Sequence, residues 1–423
     1  MKATHNTPDN SRPHDNLLNQ PLTLPNGTVI NNRLAKSATS ETLATYSNNP
    51  TQDLVRLYRR WAASGIGMII TGNIMIDRQA LGEPGNVVIE DERDLSILQQ
   101  WASAVTTQGS QLWAQLNHPG KQAPKGLNTR TISASAVPFS KETQSLFATP
   151  EAATEADIAD IIKRFGRSAA ICQKAGFSGV QIHAAHGYLL SQFLSPHHNI
   201  RDDAWGGSSA KRQRLLLEVY HEIRRQVGPD YPIAIKLNSA DFQKGGFTEE
   251  ESLAVIEALT AAGIDLIEIS GGTYETGIAK AQKASTIARE AFFLEFAEKV
   301  RKQVDTPLMV TGGFKSYQGM NNALSSGALD MVGIGRLMTI DPDAPQQLLQ
   351  GRDSAHTVKP IKVGIKMIDN LGVMDVFWYT EQIKRIARGE DPKPNESALC
   401  AFIRMIFKSG WGTFSTRRLR AKS

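Results

Sequence analysis

The chain has 423 residues, 41% apolar and 21% charged, with a formal net charge of +5 at pH 7. That length suits one large barrel domain or two smaller domains, and the composition is that of an ordinary soluble enzyme. No window carries the ~20 apolar residues of a membrane span. Two cysteines, Cys172 and Cys400, exclude a disulfide framework, a four-thiolate cluster and an iron–sulfur partner domain.

Residues 1–16 are polar and contain no apolar core of the secretory kind, so they read as a flexible N-terminal segment of a cytoplasmic protein. The first strand candidate is Leu34-Ala35-Lys36. A helical stretch over 53–63 stops at Ser64-Gly65, and Met68-Ile69-Ile70 then read as a buried strand. Gln111-Leu112-Trp113-Ala114-Gln115-Leu116 is the third strand. A helix over 155–174 stops at Ala175-Gly176, before a strand around Val180-Gln181-Ile182. Ile233-Ala234-Ile235-Lys236-Leu237 is the fifth. A helix over 249–261 stops at Ala262-Gly263, before Leu266-Ile267-Glu268-Ile269. Leu308-Met309-Val310-Thr311 follows. A helix over 316–325 stops at Ser326-Gly327 and leads into Met331-Val332-Gly333-Ile334.

One theme recurs: a small residue and a glycine that end a helix in left-handed geometry, then a short aliphatic run suited to a buried parallel strand. Thr248 with Glu251, and Thr154 with Asp157, have capping-box spacing. Eight such β and α units predict a single α/β domain, a (β/α)8 TIM barrel over residues 17–350. No G-x-G-x-x-G follows a strand, which argues against a doubly wound dinucleotide sheet. Residues 117–150, after strand three, are rich in Pro, Gly, Ser and Thr and read as a capping insertion on the catalytic face. Residues 351–396 form a C-terminal helical extension, with helical stretches over 363–371 and 376–388. Residues 397–423 are a basic tail with six Lys or Arg and no acidic residue, leaving the preceding chain near −1.

In such a barrel the chemistry sits at the C-terminal ends of the strands. Gln115, His183, His186 and Lys236 stand at those ends, as do Gly312-Gly313 and Gly335-Arg336. Loops after strands seven and eight often hold a phosphate, where glycine admits the backbone and Arg336 supplies a charged fork. His183-Ala184-Ala185-His186-Gly187-Tyr188 is open to three readings: a zinc site, a structural pair, or a hydrogen-bonding pair for a substrate oxygen with Tyr188 as proton donor. An inward Lys236 needs an anionic partner, a depressed pKa or a covalent role. A Schiff-base aldolase and cationic support for an electron-rich cofactor ring are both open.

The run from His183 through Leu189-Leu190-Ser191-Gln192-Phe193-Leu194-Ser195-Pro196, continued by Asn199, Arg201, Asp203 and Trp205-Gly206-Gly207-Ser208, resembles the old yellow enzyme family of FMN-dependent oxidoreductases. Asn32-Arg33-Leu34-Ala35-Lys36-Ser37, Gln115-Leu116-Asn117-His118-Pro119-Gly120-Lys121 and Gly333-Ile334-Gly335-Arg336 support it, over residues 17–349. The resemblance implies tightly bound FMN and transient NAD(P)H. Ser37, Ala38, Thr39 and Ser40 would line the flavin, with Ser40 and Asn73 at the ring edge carrying N5 and C4=O. Gln115 would bond the pyrimidine part and Lys236 would face N1 and the C2 carbonyl. Gly313, Gly335 and Arg336 would hold the phosphate. His183 and His186 would grip a substrate carbonyl oxygen, and Tyr188 would deliver a proton. Ala38, Ser40, Asn73 and Lys236 depart from the residues usual in the family. The implied reaction is reduction of activated C=C bonds in small α,β-unsaturated carbonyl compounds, with NAD(P)H and acceptor using one site in turn. Quinone or oxygen as acceptor is the alternative within the family. No nucleic-acid partner is expected, and the helices beyond the barrel are a candidate interface for a homo-oligomer.

Overall fold

Eight parallel strands form a closed ring: β1 (Leu34–Lys36), β2 (Met68–Met75), β3 (Gln111–Asn117), β4 (Gly179–Ala184), β5 (Ile233–Asn238), β6 (Leu266–Ser270), β7 (Leu308–Thr311) and β8 (Met331–Ile334). Each pairs with its sequence neighbours, and β8 and β2 both pair with β1, which closes the barrel. The computed structural model describes residues 16–140, 144, 146–271, 293–364 and 373–404. The expected flexible start over 1–16 lies almost entirely outside these residues. So do most of the helix expected over 363–371 and the tail from 405 onward. Residues 398–404, assigned to the basic tail from sequence, are helical, and Arg404 pairs with Glu396 at 2.7 Å.

The helices on the outside are α1 (Gln52–Ala62), α2 (Leu95–Thr106), α3 (Glu155–Lys174), α4 (Ser209–Val227), α5 (Glu249–Ala262), α6 (Leu294–Arg301), α7 (Tyr317–Ser325) and α8 (Val373–Ala387). Local chemistry sets their ends. Thr154 and Thr248 cap α3 and α5 through complete capping boxes. The stop glycines Gly65, Gly176, Gly263 and Gly327 all take left-handed φ, between 71° and 88°. Among the described residues no helix is long and apolar enough to cross a membrane.

Strand alternation builds two cores. Outward residues such as Leu34, Ile69, Leu112, Ile182, Ile235, Ile267, Val310 and Val332 pack under the helical ring. Inward residues near the strand starts form a second cluster: Met68, Ile70, Trp113, Ala234, Leu266, Met309 and Met331. A short antiparallel hairpin, Leu22–Thr23 with Val29–Ile30, adds Leu22, Leu24 and Ile30 to that cluster and seals the N-terminal end of the barrel. Apolar filling at one end leaves polar inward positions for the other.

Residues 117–150 carry the isolated bridge Pro124 to Phe147. Lys121, within this segment, is fully buried. Its ammonium donates to Val137 O (3.1 Å) and Pro138 O (3.4 Å), contacts His198 Nδ1 (3.0 Å) and lies 4.4 Å from the Phe139 ring centroid. A buried cation surrounded by carbonyls and an aromatic face ties the segment to the loop after β4.

Candidate functional site

Period-two alternation turns Gln115, Gln181, His183, Lys236, Glu268, Ser270 and Thr311 into the barrel, above the apolar cluster. Register confirms that they are neighbours: Lys236 lies beside His183 on one side and Glu268 on the other, and Gln115 beside Gln181. Glu268 is the hub. Its Oε1 meets the Lys236 ammonium at 2.8 Å and accepts Thr311 Oγ1 at 2.7 Å, while Oε2 accepts Gln181 Nε2 at 2.7 Å. Gln115 Nε2 donates to Gln181 Oε1 (2.7 Å), and Ser37 Oγ bonds Thr311 Oγ1 (2.6 Å). One hydrogen-bonded string therefore joins the predicted residues Ser37, Gln115 and Lys236 through three that sequence reasoning did not single out, Gln181, Glu268 and Thr311. Lys236 spends one of its three N–H donors on Glu268. Its partner is a carboxylate rather than another cation or an apolar pocket, the settings that activate an amine nucleophile.

The chain after β1 crosses the barrel mouth. Ser37 N donates to Ile334 O (2.8 Å), Ala38 packs on the inner cluster, and Thr39 Oγ1 bonds Ser37 O (3.2 Å). Ser40 donates to the Glu83 carboxylate, whose pKa burial raises. Gly333 permits this crossing: a Cβ there would lie 2.0 Å from Thr311 Oγ1 and 2.4 Å from Ser37 Oγ. The second strand, read from sequence as Met68-Ile69-Ile70, runs on to Met75, so Asn73 lies inside β2, past an irregularity between Ile70 and Asn73, and not in the loop after it. It donates to Tyr188 OH (3.3 Å) and accepts from Asn117 Nδ2 (3.2 Å).

His183, His186 and Tyr188 converge beside this string. The His183 ring centroid lies 5.3 Å from that of His186 and 4.8 Å from that of Tyr188, both edge-on. His186 is held at φ 60°, a region few side chains adopt, by Asn238 Oδ1 on its backbone N–H (3.1 Å) and Ser270 Oγ on Nε2 (2.7 Å). Burial pushes both histidines below their ordinary pKa: His186 to about 3, and His183 well below 6.5, with His186 and Lys236 adding repulsion. Both rings are neutral at pH 7. His183 Nδ1 accepts the Ala185 N–H (3.3 Å), so its proton sits on Nε2. Among the described residues no three His, Cys, Asp or Glu side chains converge as a metal would need.

At the far side of the mouth, Gly312 and Gly313 follow β7 with φ of 111° and 93°, conformations open to glycine. Arg336 follows β8 and is exposed. No described residue accepts a hydrogen bond from its guanidinium, which lies 5.6 Å from the Tyr379 ring centroid.

The family described as NADH:flavin oxidoreductase / NADH oxidase matches residues 17–355. The chain belongs to this family, the old yellow enzymes. It is 36% identical to the NADH-dependent flavin oxidoreductase iccE of Talaromyces variabilis, over 87% of this chain and 97% of the relative. It is also 36% identical to the NADH-dependent flavin oxidoreductase iliE of Neonectria sp. (strain DH2), over 77% of this chain but only 46% of that longer protein. In structure it is similar to the old yellow enzyme homologue of Zymomonas mobilis, with a TM-score of 0.70, 23% identity, and coverage of 81% and 94% of the two chains; that likeness shows the fold. The protein is an old yellow enzyme and a flavin oxidoreductase that works with FMN and NAD(P)H.

The residues present fit this cofactor. Spare N–H donors on Lys236, the buried Asn117 Oδ1 without a hydrogen-bond partner, the glycine pair after β7 and the unbonded Arg336 fork match a polar ring and a phosphate. The old yellow enzyme also hides a cluster that sequence reasoning missed. Lys36 points away from the barrel, fully buried, 4.5 Å from the Trp61 ring centroid and 5.7 Å from that of Tyr58; burial lowers its pKa to about 8, against the attraction of Glu41. Glu41 accepts from Tyr58 OH and from Gly72 N (2.8 Å), bracing β2 where its register shifts. A lysine closing an aliphatic strand was the signal in the sequence.

Proposed function

We propose that this old yellow enzyme reduces the activated C=C bond of small α,β-unsaturated carbonyl compounds, with NAD(P)H as reductant. The observation that carries the reading is the convergence of two neutral imidazoles, His183 buried and His186 half-buried, and a phenol at one side of the polar string. Neutral imidazoles donate hydrogen bonds without placing a full charge beside the reductant. His183, with its proton on Nε2, and His186, with Nε2 engaged by Ser270, bind the acceptor's carbonyl oxygen and stabilise the enolate charge that develops there. Tyr188 gives its proton to the α-carbon as general acid, and Asn73 on its hydroxyl fixes the phenol's direction.

FMN, when bound, supplies hydride transfer between NAD(P)H and the acceptor. Ser37, Ala38, Thr39, Ser40, Asn73 and Gln115 are the proposed ring contacts, with Lys236 opposite the atoms where negative charge gathers. Gly313, Gly335 and Arg336 are the proposed phosphate ligands. Quinone or oxygen as acceptor would leave Tyr188 without a carbon to protonate.

Stopped-flow separation of the two half-reactions tests the reading. Tyr188→Phe is expected to slow enone reduction by about 100-fold or more, the range of general-acid contributions, while flavin reduction by NAD(P)H keeps its wild-type rate. Equal slowing of both halves, or an unchanged enone rate, would remove Tyr188 from the role, and a reduced wild-type enzyme that no enone reoxidises would remove the reaction.

A further inference from the structure

We infer that Tyr379, on the helix beyond the barrel, is a positioning residue for the cofactor phosphate, acting through the Arg336 guanidinium. The inference rests on the reading of Arg336 as a phosphate ligand. Arg336 stands at the end of β8, exposed, and no described residue accepts a hydrogen bond from it. A long side chain with free rotors loses entropy when it must hold one direction to grip an anion. The Tyr379 ring, 5.6 Å from the guanidinium carbon, restricts that side chain through a cation–π contact. Such a contact uses a face and consumes none of the five N–H donors in the guanidinium plane. The donors stay available for phosphate oxygens.

Tyr379 is itself fixed. It is 4% exposed, and its hydroxyl donates to Lys359 O at 2.7 Å while accepting Lys359 N–H at 3.2 Å. The neighbouring Trp378 ring packs edge-on with its centroid 5.0 Å away. The carrier helix α8 is anchored to the barrel's outer ring, where Arg56 Nε donates to Ala387 O at 2.9 Å. The ring therefore sits on a rigid support, one that the cofactor does not need to order. On this view α8 is part of the phosphate site's wall.

The test compares dissociation constants of FMN and of riboflavin for apoprotein, by flavin fluorescence quenching. Riboflavin lacks the phosphate, so general damage to the pocket weakens both ligands and cancels in their ratio. Arg336→Ala should lower the FMN preference by roughly tenfold or more, as loss of a charge-assisted phosphate contact does. Tyr379→Leu should lower it roughly two- to fivefold, the range of an exposed cation–π contact. Tyr379→Phe keeps the ring face and should keep the preference. In the Arg336→Ala background, Tyr379→Leu should change nothing further. If the Leu variant does not fold, Tyr379→Met, close in volume and without a π face, replaces it. A wild-type ratio in the Leu or Met protein, or an undiminished Leu effect without Arg336, overturns the inference alone. A wild-type ratio in Arg336→Ala overturns the phosphate reading beneath it.

Discussion

Glu268 shows how one inward carboxylate organises a whole site. It is fully buried and holds three partners from three other strands: Lys236 on β5, Gln181 on β4 and Thr311 on β7. Removing it would strand the Lys236 charge in a low-dielectric well, a cost of about 3–5 kcal/mol for breaking a buried pair from one side. Glu268→Ala should lower the urea midpoint accordingly, whereas Glu268→Gln, which keeps the hydrogen-bond geometry, should recover part of the loss. Equal midpoints for Ala and wild type would show that Lys236 finds another partner. Lys236 was legible in the sequence because a lysine in an aliphatic strand cannot be idle. Its partner was not, because Glu268 is 32 positions away and pairing across strands depends on register. Gln181 and Thr311 were hidden in the same way: alternation says which way they face, and only closure of the barrel says whom they meet.

Elements were more legible than contacts. Every barrel strand was visible as a short aliphatic run, four of them after a glycine stop, because a parallel strand covered on both faces has little freedom in composition. The caps of α3 and α5 were visible because four-residue chemistry decides them. Thr248→Ala should cost about 1 kcal/mol, read in chemical denaturation, since it removes the hydroxyl that accepts the Glu251 N–H. No change would mean that Glu251, which also pairs with Arg212, fixes the turn alone. Strand ends were less legible. The extra length of β2 beyond Ile70 comes from an irregularity braced by Glu41, and that brace is a tertiary contact with no local signature. The same limit applies to α8, whose apolar spacing was plain but whose place beside Arg336 was not.

Across the whole molecule, buried histidines set the response to acid. His118, His186 and His198 have pKa values lowered to about 3, chiefly by burial, and His183 lies well below its ordinary value for the same reason. In the unfolded chain these groups titrate near 6.5. Below that pH the unfolded state takes up protons that the folded state refuses, so stability falls as pH drops from about 6.5 towards about 3. Carboxylates held low by arginines, such as Asp91 at about 2, lose their contribution only as pH falls below the ordinary carboxylate range. Urea midpoints should therefore decline well before pH 5; a flat profile from pH 7 to 4.5 would contradict the burial of these rings as neutral groups. The hairpin that seals the barrel's N-terminal end carries a different consequence. A blind well is loaded and emptied through one opening. If reductant and acceptor share it, they queue, and each in excess delays the other. Initial-rate lines at several NAD(P)H concentrations should run parallel in double-reciprocal form, with inhibition at high acceptor; lines that intersect would mean that both guests fit at once.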